Sequence, residues 1–477
     1  MTTQTQSPRP VPPASGAPSS TKPAPSTDLP ALPRARRTAS IGRVVAASLS
    51  GGLVAALLLV LLPLTPVEES AITGAVLGGF AVGWALLAFL STRFTDQPQR
   101  WAAAPAALMG IGGLLLLAFG APAREVLAWV WPPAVLGTAI WMGVHVRRHL
   151  GSRSGRSARA MLYPVIAVLA LGAVGGAYQT LGERADAATH PMPGQLVDVG
   201  GRSLHLSCTG SGSPTVVLQA GGGEMSSNLG WIAPAIAHDT QVCVYDRAGH
   251  GWSELADTPQ DAMLIAADLH TMLQRAGVPG PYVLAGHSFG GLYALTFAAR
   301  YPDDVAGMVL VDSTAPAAAP QTDAPPAEAG SYDVMARVST LLSTSARLGL
   351  SRLAAQSSFD SLPSPSREDV RARLATADNL RTTIDEYVQA SASMQEAAAL
   401  TDLGHKPLVV LTAGSGSAPT WATSQHHLAT LSTNSVHRVI ESATHQTLIA
   451  DERDAARTSE AVLDVVSSVR SAQPLLP

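Results

Sequence analysis

Ser288 stands at the centre of Gly286-His287-Ser288-Phe289-Gly290-Gly291, after the apolar stretch Tyr282-Val283-Leu284-Ala285 and before the helix-spaced run Leu292 to Arg300. A serine placed this way can be a nucleophile. A sharp strand-to-helix turn strains the central residue, so the positions two before and two after it must be small, and Gly286 and Gly290 meet that demand. The new helix directs its free amides at the turn and favours negative charge beside the Ser288 oxygen. The unreactive alternative is a structural serine in a tight turn. A nucleophilic serine needs a base, and with thirteen histidines in the chain only position can select one.

The elements that must hold such a site occupy only part of the 477 residues, enough for two or three domains. A mean hydropathy of +0.20 with 14% charged residues is too apolar for a wholly soluble protein. The net charge of -4 gives no case for nucleic acid. Cys208 and Cys243 are the only cysteines, which leaves no disulfide-rich scaffold and no cysteine-based zinc site.

Residues 1–40 hold nine prolines among Ser, Thr and Ala and are expected to form a disordered cytoplasmic tail. Five runs without Asp, Glu, Lys or Arg follow: Val44 to Val67, Ser70 to Thr92, Trp101 to Ala123, Val126 to Val146, and Ala160 to Gly182. Each is long enough to cross the hydrocarbon layer as a helix, and none shows the polar stripe of a soluble bundle. Five membrane helices are expected over residues 41–183, the third and fourth able to form a hairpin through Arg124-Glu125. Arg34, Arg36, Arg37, Arg43, Arg93, Arg100, Arg147, Arg148, Arg153, Arg156 and Arg159 fall on one side, while Arg124 and Arg184 fall on the other. That bias places the amino terminus in the cytoplasm and everything after about residue 183 outside, in a multi-pass protein of the cell membrane.

From Gln195 the pattern becomes short apolar strands alternating with helices, the signature of an α/β domain with a mostly parallel sheet. Eight strands are expected: Gln195 to Val199, Arg202 to Cys208, Thr215 to Ala220, Gln241 to Tyr245, Tyr282 to Gly286, Gly307 to Val311, Leu408 to Thr412 and Val436 to Ile440. The first two can close on Gly200-Gly201, where both residues accept positive φ. Residues 195–314 and 401–477 form the expected core, and 315–400, too long for a structureless loop, a helical cap.

Residues 195–470 resemble the α/β-hydrolase fold superfamily. The resemblance rests on the Gly286 to Gly291 turn, on Asp246-Arg247-Ala248-Gly249-His250-Gly251-Trp252-Ser253 after the fourth strand, and on Gly221-Gly222-Gly223 after the third. It implies a general base after the last strand, where His445 sits in Ser442-Ala443-Thr444-His445. His287 and His250 are expected to be structural, the latter alternatively near substrate. The commoner position for the acid, after the seventh strand, carries no carboxylate in Ala413 to Thr420. Asp312, after the sixth strand, keeps the order Ser, Asp, His, with Glu441 or a water-supported histidine as alternatives. The oxyanion donors implied are the amides of Phe289 and Gly222, Ala220 standing where many relatives have His. The implied activity is cleavage of an ester, amide or thioester through an acyl-serine, with no metal or organic cofactor and a small-molecule or lipid-like ester as substrate. Within the fold a cofactor-free lyase or haloperoxidase is the alternative, and from another class a non-hydrolytic ligand sensor signalling through the membrane helices. The second and fourth strands resemble sheet neighbours of this fold, so a Cys208–Cys243 disulfide is expected, with buried free thiols as the alternative.

Overall fold

A computed structural model describes residues 39–62, 65–150, 155–316, 329–416 and 419–476. The expected tail over residues 1–40 lies outside them except for its last two residues, as does most of the Ala315 to Gly330 connection. The first apolar runs form α1 (Ile41–Leu61), α2 (Glu69–Phe94), α3 (Ala103–His149) and α4 (Arg156–Thr189), four helices long and apolar enough to cross a membrane. Between helices in lipid, small residues permit the close backbone approach that gives van der Waals attraction its strength. Gly52, Gly79 and Gly83 do this for α1 and α2: a Cβ on Gly52 would stand 2.8 Å from Gly83 Cα, and one on Gly79 would run into the Ala56 backbone.

The count of five separate helices is corrected to four. The third and fourth runs share one 47-residue helical element, broken internally at Gly120 with φ 57° and ψ −131°. The chain folds back there, because the rings of Trp101 and Trp141 lie 6.3 Å apart between centroids. Glycine reaches this conformation without the Cβ penalty that other residues meet, and Pro122 then suits the first turn of the second arm. Arg124, expected at the break, lies on that arm and pairs with Glu69 at 2.5 Å.

The sheet has eight strands, β1 (Gln195–Asp198), β2 (Ser203–Thr209), β3 (Val216–Gln219), β4 (Val242–Tyr245), β5 (Tyr282–His287), β6 (Val305–Val311), β7 (Leu408–Ala413) and β8 (Ser435–Ile440). Their spatial order is β1-β2-β4-β3-β5-β6-β7-β8, with β2 antiparallel to both neighbours and the other pairs parallel. Strands covered by helices on both faces should be apolar throughout, and β3, β5 and β7 are buried at every position. Gly200 and Gly201 turn the β1–β2 hairpin at φ 108° and 104°, their amides donating to Asp198 Oδ1.

On one face Val217, Leu284, Leu310 and Val410 pack against Leu269, Met272 and Phe297 of α6 (Ala262–Arg275) and α7 (Phe289–Arg300). On the other, Val216, Val283, Val309 and Val409 meet Ile236 of α5 (Ile232–Ala237) and Val462 and Val465 of α15 (Glu452–Ser471). Between β6 and β7 the chain forms α8 (Ala329–Ser343), α9 (Leu350–Gln356), α10 (Ser364–Leu374), α11 (Ala377–Val388) and α12 (Ala390–Ala397). α13 (Pro419–Ala429) and α14 (Thr447–Ala450) follow β7 and β8. Cys208 and Cys243 are directly opposed across β2 and β4 and form a disulfide.

The inserted segment is fastened to the long apolar helices by charge. Arg347 pairs with Glu69 at 2.7 Å and Glu183 at 3.4 Å, and Arg352 with Asp186 at 2.5 Å. At this junction a cavity of about 450 Å³ is lined in part by Glu69, Arg124, Asp378 and Arg381.

Candidate active site

β5 delivers the chain to Ser288, whose φ of 53° and ψ of −121° are the strained turn its flanking residues foretell, and α7 begins at the next residue. Gly286 and Gly290 are sterically required: a Cβ on the first would enter the Gly290 carbonyl, and one on the second would enter the Gln219 carbonyl on β3. Ser288 is half-buried, and its hydroxyl has no hydrogen bond among the described residues.

Asp312 follows β6 at φ 41°, a left-handed conformation that Asp and Asn tolerate better than most. Its buried carboxylate accepts from three donors: His445 Nδ1 at 2.6 Å on Oδ2, Trp421 Nε1 at 2.8 Å and Ala413 N at 3.1 Å on Oδ1. Burial pushes the Asp312 carboxyl up, but the His445 bond, the indole and the amide outweigh it and hold it below its ordinary value. An ionised Asp312 requires the proton on His445 Nδ1, which leaves Nε2 as the basic nitrogen. Glu441 is exposed, and its side chain has no hydrogen bond or ion pair among the described residues. The His445 ring lies 4.6 Å from that of His287, the residue before Ser288.

The loop after β3 comes to the same place. Gly222 lies against Phe289, where an added Cβ would stand 2.9 Å from the ring. The Gly221 amide is taken by Glu224 Oε2 at 2.7 Å and the Gly223 amide by Glu386 Oε2 at 2.8 Å. The Gly222 amide has no protein partner among the described residues. Phe289 is the first residue of α7, so its amide has no acceptor within the helix. Two free amides beside a serine can receive an oxyanion. The structure thus brings together Ser288, His445, Asp312, Gly222 and Phe289, all five residues read from the sequence.

Glu224, Glu386 and Trp421 escaped that reading, whereas His287 was expected to be structural. His287 is buried and donates to two acceptors, Glu224 Oε2 at 3.1 Å and the His445 carbonyl at 3.0 Å, which calls for the charged imidazolium. Burial raises the Glu224 carboxyl, but His287, the Gly221 amide and Gln446 bring it down to about 2; burial lowers His287, and Glu224 more than reverses this. Arg247 donates to Glu386 at 2.6 Å and to the carbonyls of Ala220 and Gly221 at 2.9 and 2.7 Å. His250 joins the same cluster through Glu386 at 3.1 Å and Asn379 at 2.7 Å. Trp421 could have been suspected only as an indole in the segment after β7.

A mostly parallel eight-stranded sheet with a strained serine after its fifth strand is the α/β-hydrolase fold, and here a His–Asp pair follows its eighth and sixth strands. Residues 214–449 match the alpha/beta hydrolase fold family, and this part of the chain belongs to it. Among curated relatives, an uncharacterized protein of Schizosaccharomyces pombe is 33% identical over 151 residues, covering 25% of this chain and 28% of its own. An uncharacterized vacuolar membrane protein of Saccharomyces cerevisiae is 28% identical over 130 residues, covering 23% and 20%. The chain spans 41% or less of the length of the curated relatives considered. A thermophilic esterase from Thermogutta terrifontis, solved with malate bound, aligns over 58% of this chain and 99% of its own at 22% identity and a TM-score of 0.43.

Proposed function

We propose that this protein is a membrane-anchored serine hydrolase acting outside the cytoplasm on an ester, amide or thioester of small-molecule or lipid-like character. The observation that carries the reading is the 2.6 Å contact between His445 Nδ1 and the buried Asp312 carboxylate, beside a strained Ser288 whose hydroxyl has no hydrogen bond among the described residues. In the mechanism it supports, His445 Nε2 takes the Ser288 proton as Oγ attacks the substrate carbonyl. The carbonyl oxygen becomes an oxyanion that accepts from the Gly222 and Phe289 amides. His445 then protonates the departing alcohol, amine or thiol, leaving an acyl group on Ser288. Water attacks the acyl-serine with His445 again as base, and collapse of the second tetrahedral adduct breaks the bond to Oγ, releasing the carboxylic acid as His445 returns the proton to Ser288.

Outward placement is supported by the arginine bias and by the Cys208–Cys243 disulfide, which an oxidising compartment would preserve. With both arms of α3 crossing, the chain makes five passes. The ligand-sensor reading draws support from the ion pairs of Arg347 and Arg352, which tie the inserted helices to the membrane helices. A fluorophosphonate probe separates the two readings. Covalent labelling of the full-length protein, abolished in Ser288→Ala, is expected of the hydrolase, and absence of labelling would refute it.

A further inference from the structure

Glu386 belongs to the inserted helices, 163 residues from Gly223 in the chain, yet its carboxylate accepts the Gly223 amide at 2.8 Å. It is buried at 3% exposure, and its position is fixed by two further groups, Arg247 at 2.6 Å and His250 at 3.1 Å. Arg247 holds the same loop from its other side through the carbonyls of Ala220 and Gly221. The loop is therefore clamped immediately before and after Gly222, while the Gly222 amide itself has no partner among the described residues. Gly223 has φ 73°, and glycines offer this loop no side-chain packing of its own to fix its path. We propose that Glu386 is a positioning residue for the oxyanion loop, so that the inserted helices hold part of the catalytic geometry as well as covering the site.

The inference rests on the hydrolase reading for its catalytic consequence, though its structural content does not. An oxyanion donor contributes according to where it is aimed, and removal of one outright costs about 10²–10³ in kcat. A loosened donor costs less. The position of Glu386 on α11 also gives the clamp a base outside the site, because Asp378 and Arg381, on the first turns of the same helix, line the junction with the membrane helices.

The test compares wild-type, Glu386→Gln and Glu386→Asp as full-length proteins in detergent micelles. Gln removes the charge that Arg247 requires, whereas Asp keeps the charge and withdraws the carboxylate from Gly223 by one methylene. The first readout is amide hydrogen exchange of the segment 219–225. Faster exchange there in the variants, with β5 and β6 unchanged, is expected; equal exchange would overturn the proposal whether or not the protein is a hydrolase. The second is turnover of a p-nitrophenyl ester, for which kcat should fall about 10–100-fold with KM within about twofold, and trifluoromethyl ketone inhibition should weaken in step. A rise in KM with kcat unchanged would instead assign Glu386 to substrate binding and overturn the positioning role. Should Glu386→Gln fail to fold, Glu386→Asp carries both readouts. A wild-type protein that takes no fluorophosphonate label would refute the hydrolase reading and leave the exchange result to decide the clamp.

Discussion

Asp312→Asn tests the His–Asp pair with almost no change of shape. The Asp312 carboxylate faces three donors, so an asparagine there cannot satisfy all of them. With its carbonyl kept towards Trp421 and Ala413, its amide NH₂ faces His445 Nδ1, which must then accept. The alternative flip retains the His445 bond and sets an NH₂ against two N–H donors. One donor conflict costs less than two, so the first arrangement wins and His445 carries its proton on Nε2, where it cannot take one from Ser288. Loss of the productive tautomer costs about 10⁴ in kcat, or about 5.4 kcal/mol at 1.36 kcal/mol per decade. Steady-state hydrolysis of a p-nitrophenyl ester measures it, with thermal unfolding to show that the fold persists. Turnover within about tenfold of wild type in a folded Asp312→Asn protein would refute the argument. A large loss in Glu441→Gln beside it would move the acid to Glu441.

Three further outcomes are expected. The buried Glu224–His287 pair contributes stability that varies with pH in a defined sense. Glu224, lowered from 4.5 to about 2, gives its full share above pH 4.5, and His287, raised from 6.5, gives its full share below 6.5 and loses it as pH climbs through the raised value. Removing one partner in His287→Gln should cost about 3–5 kcal/mol near pH 6 and less at pH 9, and thermal melts with parallel pH profiles for the two proteins would contradict this. Reduction of the 35-residue Cys208–Cys243 loop should destabilise the hydrolase domain by about 4 kcal/mol in the chain-entropy model, and two alkyl adducts on the denatured, unreduced protein would show that the bond is absent in the purified protein. Protease added to intact spheroplasts should digest the region after Glu183 and spare residues 1–40, and protection of that region would reverse the proposed topology.

What the sequence disclosed was local in the chain or fixed by the order of strands. Each strand fell within two residues of its expected bounds, and for β3, β5 and β7 the reason is that strands buried on both faces are continuous apolar runs ended by turn residues. Asp312 was legible only through the family resemblance and the order Ser, Asp, His, because the usual acid position lacks a carboxylate; its contact with His445 is possible because β6 and β7 are neighbours, so a residue ending one lies beside a residue ending the other. The missed turn in α3 had a local cause. Charged Arg124 and Glu125 look like a loop, but the backbone turns where a glycine allows positive φ, four residues earlier, and the helical hydrogen bonding resumes before the charges are reached.

The remaining omissions share a physical reason that bears on function. Glu224 and His287 are 63 residues apart, Trp421 and Asp312 109, and Glu386 and Arg247 139. No periodicity spans such distances, and a charged residue in an amphipathic helix such as α11 looks like any residue of a solvated face until the surface it docks against is known. Burial reverses that meaning. A carboxylate at 3% exposure is tolerable only when hydrogen bonds and opposite charge offset its desolvation, and every group that does so for Glu386 belongs to the loops beneath the inserted helices. Lifting α11 would therefore leave Arg247 and the Gly223 amide without their carboxylate, so opening of the insertion and disorder of the glycine loop after β3 should be one event.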